Sequence, residues 1–305
     1  MVKKQAFTNQ IKNASCKHSM VNPIKKVLLK HPKNAFINQT IINGQYLNLN
    51  YSKAPNFNKA VNDYEDFIGL LQLFDIELHY LSKDNATSLD SIYTHDPCIV
   101  TNEGIILCNM GKQDRISEIN EIEKYFKSIH LPILGKIKAP GTLEGGDVIW
   151  IDDETIAVGE GYRTNQEGIR QLKFLLSNQI KNIITVPLPH WNGPEECLHL
   201  MSNLSPIDYN LYLIYSRLLP VAFLKYLTNR NIELIEVPNE EYESMGCNVL
   251  AVAQKKVIMI DGNPKTKQLL ENKGVEVHTY NGSEISIKGA GGPTCLTRPF
   301  LRSSQ

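Results

Sequence analysis

The chain has 305 residues, enough for two average domains or one large one with a sizeable core. Its 32 Lys and Arg residues balance 32 Asp and Glu residues, so the formal net charge is zero. That balance argues against a nucleic-acid binder, which usually carries a basic excess, and against electrostatic docking on a membrane.

The most apolar stretch, around Leu211 to Leu224, is broken by Ser216, Arg217 and Pro220 and is too short to span a bilayer. No apolar region follows Met1-Val2-Lys3-Lys4-Gln5, so a signal peptide is not expected and the cytoplasm is the expected compartment. Cys16, Cys98, Cys108, Cys197, Cys247 and Cys295 form no C-x-x-C pair. Neither a disulfide framework nor a structural zinc site is expected from that spacing.

In chain order, the first region predicts a strand at Val27 to Lys30, a long helix from Phe57 to Leu73 and a strand at Ile76 to Tyr80. The next region is more regular. Strands at Cys98 to Val100 and Ile105 to Leu107 flank the turn Asn102-Glu103-Gly104. Ile116, Ile119, Ile122 and Tyr125 then recur at helical spacing, and Leu131 to Leu134 closes the unit. The same grammar returns as Val148 to Ile151, Thr155 to Val158, a helix from Gln166 to Leu176 and a strand at Ile183 to Val186. A fourth copy has Leu198 to Leu200 as its first strand, then Leu211 to Ile214, a helix over Val221 to Thr228 and Ile232 to Ile235. The fifth runs Asn248 to Val252, Lys256 to Ile260, a helix over Lys265 to Asn272 and Val275 to Val277. Five such ββαβ units predict a ring in one domain spanning residues 1–305. The competing architecture is an open doubly wound sheet; the paired strands before each helix favour the ring.

Polar residues recur near the first strand of several units. They are Asp96 in Thr94-His95-Asp96-Pro97, Glu144 in Leu143-Glu144-Gly145-Gly146-Asp147, and His199 in Cys197-Leu198-His199. Cys295 follows the Gly-rich run Gly289-Ala290-Gly291-Gly292. Around an axis these positions converge, which would bring two carboxylates, an imidazole and a thiol into one pocket.

The motifs resemble the guanidine-modifying superfamily of the pentein α/β propeller, and most of all its dimethylarginine dimethylaminohydrolase branch. Leu143 to Val148 resembles that branch's E/D-G-G-D-V segment, Arg163 to Gly168 its R-T-N-Q-x-G segment, and Leu198 to Ser202 its histidine segment. Asp90 to Asp96 resembles its D-x-x-F-x-x-D stretch. The resemblance implies a metal-free, cofactor-free enzyme that cleaves a carbon–nitrogen bond of a small guanidino substrate. It implies Cys295 as nucleophile, His199 as acid and base, and Glu144 with Asp96 as the clamp on a guanidinium. Arg163 would pair with a carboxylate at the far end, and Asp90 would contact substrate or order its loop. Two carboxylates suit the planar, protonated guanidinium, and a thiolate suits attack on its carbon.

Each residue also has a plainer reading. Cys295 alone would be a buried thiol, and His199 between two leucines a core histidine. Glu144 and Asp147 would mark a turn, Arg163 a surface ion pair and Asp96 a loop cap. Two departures bear on substrate. Met201 stands where deiminases and amidinotransferases have an acidic residue, which would leave apolar room for an N-alkyl group. Asn109 stands where the dimethylarginine branch has an arginine, and Lys112 is the nearest replacement for its charge. Amidino transfer, or hydrolysis of another guanidino or ureido compound, is the alternative chemistry. A non-catalytic pentein binding protein is the alternative class, although it would not need Glu144, His199 and Cys295 together. Nothing in the sequence specifies a homo-oligomer surface.

Overall fold

The structure, a computed structural model, describes residues 19–303. Cys16 and the N-terminal stretch read for a signal peptide lie outside the described residues.

The strands form five separate three-stranded sheets. In the second sheet, β3 (Cys98–Thr101) runs antiparallel to β4 (Gly104–Leu107), which pairs in parallel with β5 (Ile133–Lys136). A tight turn suffices for the antiparallel step, whereas the parallel step needs a long crossover. The helix Glu118–Ser128 supplies it, burying Ile122 and Phe126. The third sheet repeats this order with β6 (Val148–Asp152), β7 (Thr155–Glu160) and β8 (Asn182–Pro187). The fourth uses β9 (Leu204–Asp208), β10 (Leu211–Ile214) and β11 (Glu233–Glu236). The fifth uses β12 (Leu250–Ala253), β13 (Lys256–Ile260) and β14 (Glu276–Tyr280).

Burial explains why the first two strands of a unit read as apolar runs while the third does not. All four residues of β4 and of β10 are buried, but β11 alternates towards solvent. Two of the long helices start where an asparagine side chain takes up an otherwise unpaired backbone N–H. Asn56 Oδ1 accepts from Lys59 N at 3.0 Å before the Phe57–Gln72 helix, and Asn165 Oδ1 accepts from Gly168 N at 2.8 Å before the Gln166–Leu175 helix. Apolar clusters form between neighbouring sheets rather than within one. Ile99 and Ile106 meet Val148 and Trp150, and Ile149 and Ala157 meet Leu204 and Tyr212.

Two expectations are corrected. The first sheet looked irregular because its outer strand comes from the other end of the chain. β15 (Arg298–Arg302) pairs antiparallel with β1 (Ile24–Leu29), which then pairs in parallel with β2 (Glu77–Tyr80). The ring is therefore closed by a pairing between its most distant strands. Leu198 to Leu200 is also not a strand. His199 immediately precedes the one-turn helix Leu200–Asn203, and its backbone N–H donates to Ser202 Oγ at 3.1 Å; the strand of that unit begins at Leu204. Among the described residues, no helix is long and apolar enough to cross a membrane.

Candidate active site

The residues just before the first strand of each sheet converge. Asp96 precedes β3, Glu144 precedes β6, His199 precedes β9 and Cys295 precedes β15. The fifth position, before β12, is Asn248, whose Nδ2 donates to Cys295 Sγ at 3.3 Å. The sequence reading singled out four of these positions and passed over Asn248.

His199 is at the centre of a buried cluster. Its Nε2 lies 2.7 Å from Glu144 Oε2, and its Nδ1 lies 3.9 Å from Asp96 Oδ1 and 3.9 Å from Cys197 Sγ. Burial alone would lower the imidazole pKa. The charges of Cys197, Asp96 and Asp147 overcome it and hold the value well above the usual 6.5. His199 is thus an imidazolium that presents Nδ1 towards the Asp96 and Cys197 side. Gly146 permits this approach, because a Cβ there would meet His199 Nδ1 at 2.5 Å and Asp96 Oδ1 at 2.9 Å. Asp147 anchors the backbone behind the site: its Oδ1 accepts from Leu200 N at 2.9 Å and its Oδ2 from Thr164 Oγ1 at 2.6 Å.

Both carboxylates expected as a clamp are buried and already engaged. Glu144 accepts from Gly111 N at 2.9 Å, Lys112 N at 3.1 Å and Arg163 Nη1 at 3.2 Å, besides its contact with His199. It orients the imidazole and does not line the open cleft. Asp96 does line it, with Oδ2 held by Arg115 Nη1 at 2.6 Å and Oδ1 by Gly146 N at 3.0 Å. Burial opposes ionisation of either carboxylate. His199 with Arg115 keeps Asp96 ionised, and His199 with Arg163 keeps Glu144 ionised.

Arg115 was missed in the sequence. It is buried, donates from Nε and Nη2 to both oxygens of Glu118 at 2.9 Å, and donates from Nη2 to Tyr93 O at 2.8 Å. The only signal available was Arg and Glu three apart, which usually marks an exposed helix pair. Cys197, read as a bland thiol, faces the same cleft.

The cleft measures about 280 Å³, and Cys295, Cys197, Asp96, Asp90, Lys112 and Arg163 line it. Gly291 gives the approach to Cys295 its shape, since a Cβ there would strike the Tyr93 ring at 2.3 Å. Burial, with the negative charges of Asp96 and Cys197, pushes the Cys295 thiol up to about 12. A cation placed beside Asp96 would reverse that effect. Arg163 reaches inward to Glu144, where the expectation put it at the far end of a substrate. Lys112 Nζ pairs with Asp90 Oδ2 at 2.7 Å. The two departures resolve differently. Asn109 turns to Gly141 O at 2.6 Å, while Lys112 lines the cleft together with Arg115 and Arg163. Met201 packs with Leu200 and Leu204 in an apolar cluster and does not line the cleft, so it opens no room for an alkyl group there.

Asp96, Glu144 and His199 bring ligand-type atoms within 4.8 Å of one another. The guanidinium groups of Arg115 and Arg163 touch these carboxylates, and the imidazole is protonated. Carboxylates already paired with guanidinium groups beside a protonated imidazole are a poor donor set for a divalent metal.

Five blades around a cleft lined by Cys295, Cys197 and Asp96, with His199 and Glu144 packed behind Asp96, define a pentein protein of the guanidino-modifying superfamily. Residues 31–302 match the family described as N,N dimethylarginine dimethylhydrolase, eukaryotic, and the chain belongs to that family. It is 28% identical over 246 residues to the N(G),N(G)-dimethylarginine dimethylaminohydrolase of Pseudomonas aeruginosa, covering 81% of this chain and 90% of that one. It is also 28% identical over 251 residues to the arginine deiminase of Listeria welshimeri, covering 70% of this chain but only 61% of the deiminase. The fold superposes on the P. aeruginosa dimethylarginine dimethylaminohydrolase, solved as a mutant complexed with citrulline. The TM-score is 0.73 at 26% identity, over 92% of this chain and 99% of that one.

Proposed function

We propose that the protein hydrolyses N-methylated arginine to citrulline and the corresponding methylamine, through a covalent intermediate on Cys295. The observation that carries this reading is that Asp96 and Cys295 line one cleft while His199 packs behind its wall, 3.9 Å from Asp96 and 3.9 Å from Cys197, with Glu144 holding the imidazole from the other side.

A guanidinium entering beside Asp96 brings positive charge next to the thiol. That favours loss of the Cys295 proton, which the free site disfavours. The thiolate then attacks the guanidinium carbon. As the alkylated nitrogen leaves, His199 gives it a proton from Nδ1, and the carbon remains bound to sulfur as a thiouronium. Neutral His199 next takes a proton from water, whose oxygen adds to the carbon. The carbon–sulfur bond breaks, returning the thiolate and releasing the ureido product. Asn248 donates to the sulfur and stabilises its anionic form.

The test is a ureido-product assay with dimethylarginine, monomethylarginine and arginine, with Cys295→Ser as control. Cys295-dependent product from the methylated compounds supports the reading. Product from arginine alone would make the protein a deiminase-like hydrolase. No product from any of the three would reject arginine-type substrates.

A further inference from the structure

A second cavity, of about 40 Å³, lies behind the floor of the cleft. Roughly 10–15 Å³ suffices for one water, so a small ion and a water fit together. Two pairs of chain neighbours separate the two spaces. Asp96 and Cys295 line the cleft, whereas His95 and Thr294 line the second cavity. Met201 and Leu204 give that cavity apolar walls.

Arg298 also lines it and is buried. A guanidinium carries five N–H donors and keeps its proton in a protein. Among the described residues, the Arg298 guanidinium makes one hydrogen bond, from Nη2 to His95 O, and no ion pair. Its Nε has no partner, and neither has His95 Nε2. The carboxylate that acts on Arg298 from across the wall is Asp96, which is already held by Arg115 and by Gly146 N. Half-buried Arg302 brings a second guanidinium to the cavity, where its Nη1 donates to Ala251 O at 3.0 Å. Burial, with the neighbouring Arg298 charge, lowers the pKa of Arg302 to about 9. A buried cation without a partner is strongly destabilising, and low-dielectric walls make a counter-charge there correspondingly favourable.

We propose that this cavity binds one small monovalent inorganic anion of halide size, seated on Arg298 Nε as a structural counter-ion. The unpartnered atom across from it has the opposite sense. His95 Nδ1 lies 2.9 Å from Thr297 O, a carbonyl that can only accept, so the neutral ring offers Nε2 as an acceptor. A water that gives one proton to Nε2 and one to the anion satisfies both. Arg298 holds His95 O, and Asp96 follows on the cleft side, so the ion braces the segment that carries Asp96. The inference does not depend on the hydrolase reading.

The test is denaturant unfolding of the full-length protein over a range of bromide concentrations. Gluconate, too large for this cavity, makes up a constant ionic strength so that screening is equal throughout. One site on the folded state should raise the folded-to-unfolded ratio about ten-fold for each ten-fold rise in bromide above its Kd. Arg298→Met should abolish that dependence. In bromide-soaked crystals of the unaltered protein, anomalous scattering should place one bromide beside Arg298 Nε, a readout that stands even if the variant fails to fold. Equal stability in bromide and gluconate would overturn the proposal. So would a bromide dependence that persists in Arg298→Met, or bromide found at the surface alone, which would mean an adventitious ion only.

Discussion

His199 Nε2 lies 2.7 Å from Glu144 Oε2, while its Nδ1 faces Asp96 Oδ1 at 3.9 Å. One imidazole is thus held between two buried carboxylates, tightly on one nitrogen and loosely on the other. The tight contact fixes the ring, and the loose one leaves a proton able to move. Glu144 contacts His199 and does not line the cleft, whereas Asp96 faces the cleft directly. The two acids are therefore not placed as a symmetric pair around the cleft.

Replacing Cys295 by serine should abolish turnover while leaving the fold intact. A hydroxyl is far less acidic than a thiol, and Asn248, which donates to the sulfur, cannot act as a base. We expect a loss of at least about 10³-fold in kcat, with an unchanged circular dichroism spectrum. Retention of full activity would remove the covalent mechanism.

Cys197→Ser should shift the pH profile. Burial lowers the His199 pKa, and the neighbouring Cys197 is the foremost of the charges that raise it. The proton-donating imidazolium is lost as pH rises through this raised value. Removing that interaction lowers the value, so the alkaline limb of kcat should move to lower pH. A limb that stays in place would show that Cys197 does not govern the proton on His199.

Arg115→Met should destabilise the protein by about 3–5 kcal/mol, because it leaves the buried carboxylates of Asp96 and Glu118 without their partner. Arg115→Lys keeps the charge but cannot bind Glu118 through two nitrogens and Asp96 through a third. It should recover part of the stability and less of kcat/KM. Denaturant titration together with initial rates separates the two effects.

His95→Leu should flatten the acid side of the stability curve. Burial, with the nearby Arg298 cation, lowers the folded-state pKa of His95 from 6.5 to about 3. The unfolded chain therefore binds a proton that the folded one refuses between those values. This contribution to stability is complete above pH 6.5 and is lost as pH falls towards 3, at about 1.4 kcal/mol per pH unit. Unfolding midpoints measured from pH 7 to 4 should fall less steeply in the variant. Equal slopes would mean that His95 titrates normally in the fold.

Gly146→Ala adds one methyl group where His199 and Asp96 already meet. Displacing the imidazole even slightly costs orientation, and a loss of about 10²-fold in kcat is expected. A normal rate would show that the cluster relaxes freely around residue 146.

Much of the ring was legible because each unit repeats the same local order. Strand runs such as Ile105 to Leu107 and the helix over Gln166–Leu175 are set by short-range burial and by caps such as Asn165. The pairing of β1 with β15 was not legible, since nothing local links Val27 to Pro299. Leu198 to Leu200 alternates like a strand, but three residues are too few to distinguish a strand from the start of a helix. The serine that accepts from the His199 backbone was the available cue. In the site, the residue types were readable from motif order. Whether a given carboxylate faces solvent, a substrate or an arginine is decided by elements far apart in sequence. That is why the roles of Glu144 and Arg115 emerge only in three dimensions.

The closing strand carries one more consequence. Cys295 lies three residues before β15, and β15 supplies the outer strand of the first sheet. On a ribosome, Cys295 and the last seam of the ring would emerge together, after the other residues that line the cleft. A nascent chain that has completed four blades would hold Asp96 and Glu144 while still lacking Cys295. Chemistry would then begin only once the ring could close.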